Sequence, residues 1–284
     1  MKTRYLQFVA QGRSIQIGLN LNPEQPNHRF VSQHLDAGFF YEPDVSLFLT
    51  KSVRAADICV DVGANLGFHS MLMAGLVGPT GKVLCFEPDQ KNLNDLHANT
   101  LTNSYTDRVE VIPKVVKNRQ GETEFYIHDL DSGGNALWDP TKWPGNGSAK
   151  TSQKIKIEAT TLDREVLCRD LRAPIRVLKI DTEGAEHTVL QGAETLLKAG
   201  LVEYIVCELH EFGLNQMRSS QDELRSYVLQ FGYETFVLGH KGTLPRFCPT
   251  GIRIRTPGIS NLLFAKASAL AQIYTEADFQ IRDY

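Results

Sequence analysis

A three-layer α/β/α fold is predicted, with a mostly parallel sheet of about seven strands and an antiparallel edge strand, and three observations predict it. From residue 57 onward, short β-branched runs alternate with segments of helical periodicity, the pattern of a sheet wrapped by helices. The first run, Ile58 to Val62, passes into the glycine-rich turn Gly63-Ala64-Asn65-Leu66-Gly67 and then into helical spacing from Phe68. Three later runs carry acids at their carboxyl ends, where open α/β sheets bind ligands.

The elements follow in order. A hairpin is expected over 5–10 and 14–19 around Gln11-Gly12-Arg13, after which Pro23, Pro26 and a polar run break the pattern. Residues 36–54, with Phe39, Phe40, Tyr41 and Phe48, suit a cap and a helix packed before the first core strand. Core strands read as 58–62, 83–87, 109–113, 177–181 and 204–209, with helices near 68–76, 90–101, 185–198 and 221–230. The runs 234–238 and 261–265 supply the terminal strands.

Between 114 and 163 the alternation lapses. The runs 123–127 and 154–159 read as paired strands, and between them lie Trp138 and Trp143 among glycines. A long loop with such residues predicts a lid or a substrate-facing wall over 133–147. The chain thus divides into an N-terminal hairpin and cap extension (1–56), a main domain (57–270) with a substrate-facing insertion near 114–160, and a C-terminal tail (271–284).

The chain has 284 residues, 42% of them hydrophobic, with a formal charge of −3, enough for one sizeable core with additions. Charges of both signs are interspersed, so nucleic acid is not an expected partner. No apolar run is long enough to span a bilayer, and Met1-Lys2-Thr3-Arg4 leads into alternating sequence instead of a signal-peptide core. A cytoplasmic setting is expected. Cys59, Cys85 and Cys207 fall in core strands, and no Cys-x-x-Cys pair appears, so neither a disulfide framework nor a cysteine zinc site is indicated.

The glycine turn has the spacing Asp-x-Gly-x-x-x-Gly, which differs from the dinucleotide pattern Gly-x-Gly-x-x-Gly. Asp61 would repel a pyrophosphate but suit the ammonium and sulfonium of S-adenosylmethionine (SAM), so the loop points to SAM before NAD. Glu87 ends the second strand about twenty residues beyond the loop, where a doubly wound fold places the carboxylate that grips a ribose diol. Asp181, Glu183 and Glu186 cluster where a later strand meets a helix, and the helix dipole alone favours acids at the latter two positions. Strand alternation points Glu208 and His210 to one face.

Together VDVGANLGFHS, FEPDQKNL, TTLD at 160–163 and KIDTEGAEHTVLQGA at 179–193 resemble the successive motifs of the FkbM-type SAM-dependent methyltransferases. The resemblance runs from about residue 57 to 209, and the Lys-Ile-Asp-x-Glu-Gly-Ala-Glu block is its most specific part. It implies a Rossmann-like class I methyltransferase fold and methyl transfer from SAM, commonly to a hydroxyl oxygen of a glycan or natural product. In some relatives an amide nitrogen of a peptide is the acceptor. The family pattern places Asp61, Gly63, Asn65 and Gly67 at the methionine portion and Glu87 at the ribose. It places Asp181, Glu183 and Glu186 at the transfer site, with Asp181 also near the cofactor. Asn135, Trp138 and Glu208 are the candidates for acceptor contact. One departure is Ala136, where the family has serine.

Removal of the acceptor proton falls first to His210, by intrinsic pKa, and next to Asp181. A rival mechanism uses a divalent cation, magnesium by ligand type, on Asp181 and Glu208. Two other classes of function compete: an NAD-linked dehydrogenase, disfavoured by Asp61 and the single glycine beside it, and a non-catalytic SAM-fold binding protein, which would not need acids at three strand tips.

Overall fold

The computed structural model describes residues 1–144, 149–169, 171, 173–239, 244–255 and 259–274. The chain opens with β1 (Lys2–Ala10) and β2 (Arg13–Leu21), an antiparallel hairpin longer at both ends than its alternation predicts. Helices α1 (Pro26–Asp36) and α2 (Pro43–Ser52) follow. The first of these was expected as a break. Pro26 instead stands in the first turn, where a missing N–H costs nothing, and His28, Val31 and Leu35 bury one face.

The alternating core comprises β3 (Ile58–Val62), α3 (Phe68–Val77), β4 (Lys82–Phe86), α4 (Gln90–Thr102) and β5 (Val109–Ile112). The insertion supplies β6 (Val115–Val116), β7 (Gly121–His128) and β8 (Ser152–Thr160), a separate three-stranded sheet. Next come α5 (Leu162–Leu167), β9 (Ile175–Ile180), α6 (Glu186–Gln191), α7 (Glu194–Lys198) and β10 (Val202–Leu209). The chain then runs through α8 (Glu211–Gln216), α9 (Gln221–Leu229), β11 (Glu234–Val237), β12 (Arg246–Phe247), β13 (Ser260–Ala265) and α10 (Ala267–Leu270).

Among the described residues the main sheet has eight strands, in the order β12-β11-β13-β10-β9-β3-β4-β5. The short β12 is the strand the sequence does not announce, and it forms an antiparallel edge on β11. The second antiparallel strand, β13, is interior, since the chain returns from the edge to fill the gap between β10 and β11. The helix expected over 185–198 is two, because both Asp163 carboxylate oxygens accept from the Thr195 and Leu196 amides (2.8 and 3.0 Å) and start α7 afresh. Of the tail expected over 271–284, residues 275–284 lie outside the described residues.

Strand alternation sorts the core into two layers. Cys59, Val83, Cys85 and Val177 join α2, α3 and the hairpin on one face, where Ile17 and Leu19 are fully buried. Val60, Val62, Leu84, Phe86 and Leu178 face α5 to α9 on the other. The first 56 residues therefore share the main core. Among the described residues no helix is long and apolar enough to cross a membrane.

Candidate active site

A cleft of about 2000 Å³ runs along the carboxyl ends of β3, β4, β9 and β10. A site for one drug-sized ligand occupies roughly 300–1,000 Å³, so there is room for two ligands side by side.

At one end the glycine turn closes. Gly63 has φ of 81°, and a Cβ there would overlap the carbonyl oxygen of Asp181, whose amide donates to Val62 O (3.0 Å). Gly67 has φ of 91°, and its Cβ would overlap Leu96 of α4. These glycines let the loop close against protein, a different reason from the ligand approach expected of them. The closure presents Asn65 (φ 51°), whose amide donates to Glu87 Oε2 (2.8 Å), while Glu87 Oε1 accepts from the Asp89 amide (2.9 Å). Burial, partly offset by these bonds, pushes the Glu87 carboxyl up to about 7.

Asp61 sits behind the loop. Its Oδ2 accepts from Ser70 Oγ (2.6 Å) and its Oδ1 lies 3.7 Å from Lys179 Nζ. Asp61 is 1% exposed, and burial raises its pKa. Neither Asp61 nor Gly67 lines the cleft, whereas Gly63, Asn65 and Glu87 do.

At the other end, Asp181, Glu183 and Glu208 each place a carboxylate oxygen within 4.8 Å of the others. Burial, reinforced by Asp181 and by neighbouring glutamates, pushes Glu183 and Glu208 well above the ordinary carboxylate range. Lys179 Nζ lies 2.9 Å from Asp181 Oδ2, and its neighbouring anions outweigh burial to raise its pKa. Glu183 has φ of 56°, an uncommon conformation for a residue with a side chain. Glu186 holds that turn: its Oε1 accepts from the Thr182 amide (3.1 Å), Thr182 Oγ1 (3.1 Å) and the Gly184 amide (2.9 Å). It is fully buried, so its place in the motif is architectural.

His210 follows β10, with Nδ1 3.5 Å from Glu183 Oε2. Its ring lies near-parallel to Trp138 at 6.0 Å and tilted against Trp143 at 4.7 Å. Burial lowers its pKa below the ordinary imidazole value expected from sequence. Trp138 Nε1 donates to Glu183 O (2.5 Å), and the peptide groups of Tyr126 and Ala136 exchange hydrogen bonds (2.9 and 3.1 Å), so this part of the expected lid is a packed wall. Residues 145–147, also part of that expected lid, lie outside the described residues. Asn135 Oδ1 accepts from the His128 amide (2.9 Å), leaving a buried Nδ2 without a partner among the described residues. Asn135 and Leu137 line the cleft while Ala136 does not, so the serine the family has at 136 corresponds to a position off this wall.

Sequence reasoning missed four contributors. Asn27 of α1 donates to Asn65 Oδ1 (3.2 Å) and Ser132 Oγ (3.0 Å), and Ser132 O accepts from Asn92 Nδ2 (3.3 Å). Glu42, before α2, lines the acidic end, and burial and Asp181 push its carboxyl to about 7. The one sequence signal for Glu42 is an acid before Pro43, at the start of a helix.

A family model, the Methyltransferase FkbM domain, matches residues 61–235. The hexuronic acid methyltransferase AglP of Haloferax volcanii is 26% identical over 170 residues, which cover 60% of this chain and 62% of that protein. The chain therefore spans less than two thirds of this relative's length. Among solved structures, the methyltransferase FkbM of Methylobacillus flagellatus KT aligns at 15% identity with a TM-score of 0.44, over 74% of this chain and 43% of that one. The O-methyltransferase of Bacillus cereus, in complex with SAH, aligns at 15% identity with a TM-score of 0.40, over 78% and 79%.

Proposed function

Because the chain belongs to the FkbM family of SAM-dependent methyltransferases, we propose that its reaction is methylation of a hydroxyl oxygen on a glycan acceptor. The observation that carries this reading is the two-ended cleft: Glu87 and the glycine turn at one end, and a proton-accepting group among carboxylates at the other.

The residues present fit the cofactor. Asn92 Oδ1 is buried beside Glu87, on the cleft wall, without a partner among the described residues. Glu87 would hold the ribose hydroxyls, Gly63 and Asn65 the methionine portion, and Asp181 would stand near the transfer point. Asp61 and Gly67 support the loop from behind. When bound, SAM supplies a methyl group already activated on a sulfonium, so positioning the acceptor and removing its proton are left to the protein.

His210 suits the second task. With Nδ1 turned to Glu183, Nε2 is the atom left to accept the hydroxyl proton, and a lowered pKa keeps it unprotonated at neutral pH. Trp138 and Trp143 line the cleft, with Phe212 packed against both, and form an aromatic wall that would take the apolar face of a sugar and exclude water. A glycan is further supported by the name of the Haloferax relative, and Arg246 and Arg255 on the exposed cleft wall suit an acidic sugar. A second reading of proton removal, in which a divalent cation on Asp181 and Glu208 acidifies the hydroxyl, is favoured by the buried Glu208 Oε2, which has no hydrogen bond among the described residues.

Incubation of the protein with SAM and acidic oligosaccharides, followed by mass spectrometry, tests the proposal. A mass gain of one methylene on a sugar oxygen is the expected result. Methylation of a peptide amide nitrogen would replace it with the alternative acceptor, and binding of SAM without any product would leave a binding protein.

A further inference from the structure

Four carboxylates, Glu42, Asp181, Glu183 and Glu208, line one end of the cleft. Against them stands the buried ammonium of Lys179, 2.9 Å from Asp181 Oδ2 and shared with Asp61 behind the loop. Glu183 is left with His210 Nδ1 at 3.5 Å. Glu208 is 8% exposed, and its buried Oε2 has no hydrogen-bond partner among the described residues. A buried carboxylate oxygen without a donor, in a ring of like charge, is costly unless something positive joins it.

The backbone adds a second indication. Glu183 is held at φ of 56° by the Glu186 carboxylate, which ties the amides of Thr182 and Gly184, and by Trp138 Nε1 on its own carbonyl. Such a conformation persists only where its surroundings over-determine it, as they do here, and it sets Glu183 beside Asp181 and Glu208.

We infer that Asp181, Glu183 and Glu208 form the ligand set of a divalent cation, whose remaining coordination positions face the cleft and the oxygen atoms of the acceptor. An all-carboxylate set suits a hard ion such as Mg²⁺ or Mn²⁺, which keeps open positions for water and substrate. This extends the Asp181 and Glu208 pair by a third ligand. It also accounts for how an acidic sugar could enter an acidic cleft. It rests on the methyl-transfer reading for its purpose but not for its geometry.

The test is a Mn²⁺ titration of the full chain, with free ion followed by electron paramagnetic resonance and SAM binding measured on the same samples. One saturable site per chain, competed by Mg²⁺, is expected, and Glu208→Gln and Glu183→Gln should each weaken it by at least about tenfold while retaining SAM binding. Absence of saturable binding by the parent, or unchanged affinity in both variants, overturns the site. If either variant fails to fold, Asp181→Asn takes its place, and the result for the parent stands by itself. SAM binding and turnover in chelator overturn the cation and leave methyl transfer intact, whereas Mn²⁺ binding without SAM binding does the reverse.

Discussion

Trp138 donates its indole N–H to the main-chain carbonyl of Glu183 across 2.5 Å. One residue comes from the insertion and the other from the turn after β9, so this bond ties the aromatic wall to the acidic end of the cleft, alongside the ring contacts with His210. In SAM-dependent transfer this would fix acceptor position relative to the groups that deprotonate it.

Trp138→Phe keeps an aromatic ring and deletes that donor. A buried carbonyl left unpaired costs about 1–3 kcal/mol, so the acceptor KM should rise by about tenfold. Calorimetry should show SAM affinity nearly unchanged, because Glu87 and Asn65 lie at the other end. Normal acceptor kinetics in the variant would sink the assignment of Trp138 to the acceptor wall.

His210→Ala should lower kcat by about 10²–10⁴-fold with a small effect on SAM affinity. The pH profile carries the sign. The base acts when unprotonated, so the rate climbs as pH rises through its pKa and then levels. With that pKa lowered by burial, half-maximal rate belongs below the ordinary imidazole value of about 6.5. A midpoint at or above that value, or full turnover in the variant, removes His210 from the proton step.

Glu87 titrates in the opposite sense. Its folded pKa is raised from 4.5 to about 7, so between those values the folded protein binds more protons than the unfolded one. Its contribution to stability therefore falls as pH rises from 4.5 to about 7 and is constant above. The charged form is the better acceptor for a ribose diol, so SAM affinity should increase as pH rises through about 7. Glu87→Gln should weaken SAM binding by at least about tenfold, the loss of one charge-assisted pair at about 1.5–3 kcal/mol, and should flatten this dependence. Isothermal titration of parent and variant on both sides of that pH decides the matter.

Gly63→Ala should act on folding. A Cβ would overlap the Asp181 carbonyl at a φ of 81°, and strain of this kind costs about 1–3 kcal/mol before the clash is counted. A Tm lowered by at least about 2–6 °C is expected. A variant with the parent's Tm but weakened SAM affinity would overturn the packing role and leave Gly63 with ligand contact alone.

The parallel core was legible because β3, β4, β9 and β10 are buried on both faces and read as continuous apolar runs. Acids at strand tips located Glu87, Asp181 and Glu208 on the cleft for the same topological reason. Position along a strand does not tell which layer a loop side chain enters, so Asp61 and Gly67 read as ligand contacts when they support the loop. The inserted β13 was visible as a strand but not as an interior one, because pairing order depends on where β11 and β12 had already gone. Asn27 and Glu42 carry no periodic signal. They reach the site through α1 and the segment before α2, whose placement is decided by tertiary packing.

Asn27 sits outside the stretch matched to the family, yet its amide bridges Asn65 and Ser132 at the glycine-turn end of the cleft. An evolving lineage could retune that end by altering α1 while leaving every motif untouched. Two proteins with identical motifs could then differ in cofactor affinity or product release. Chimeras exchanging residues 1–56 between relatives, with the motif-bearing core held constant, would show how much of the enzyme's kinetic character is written there.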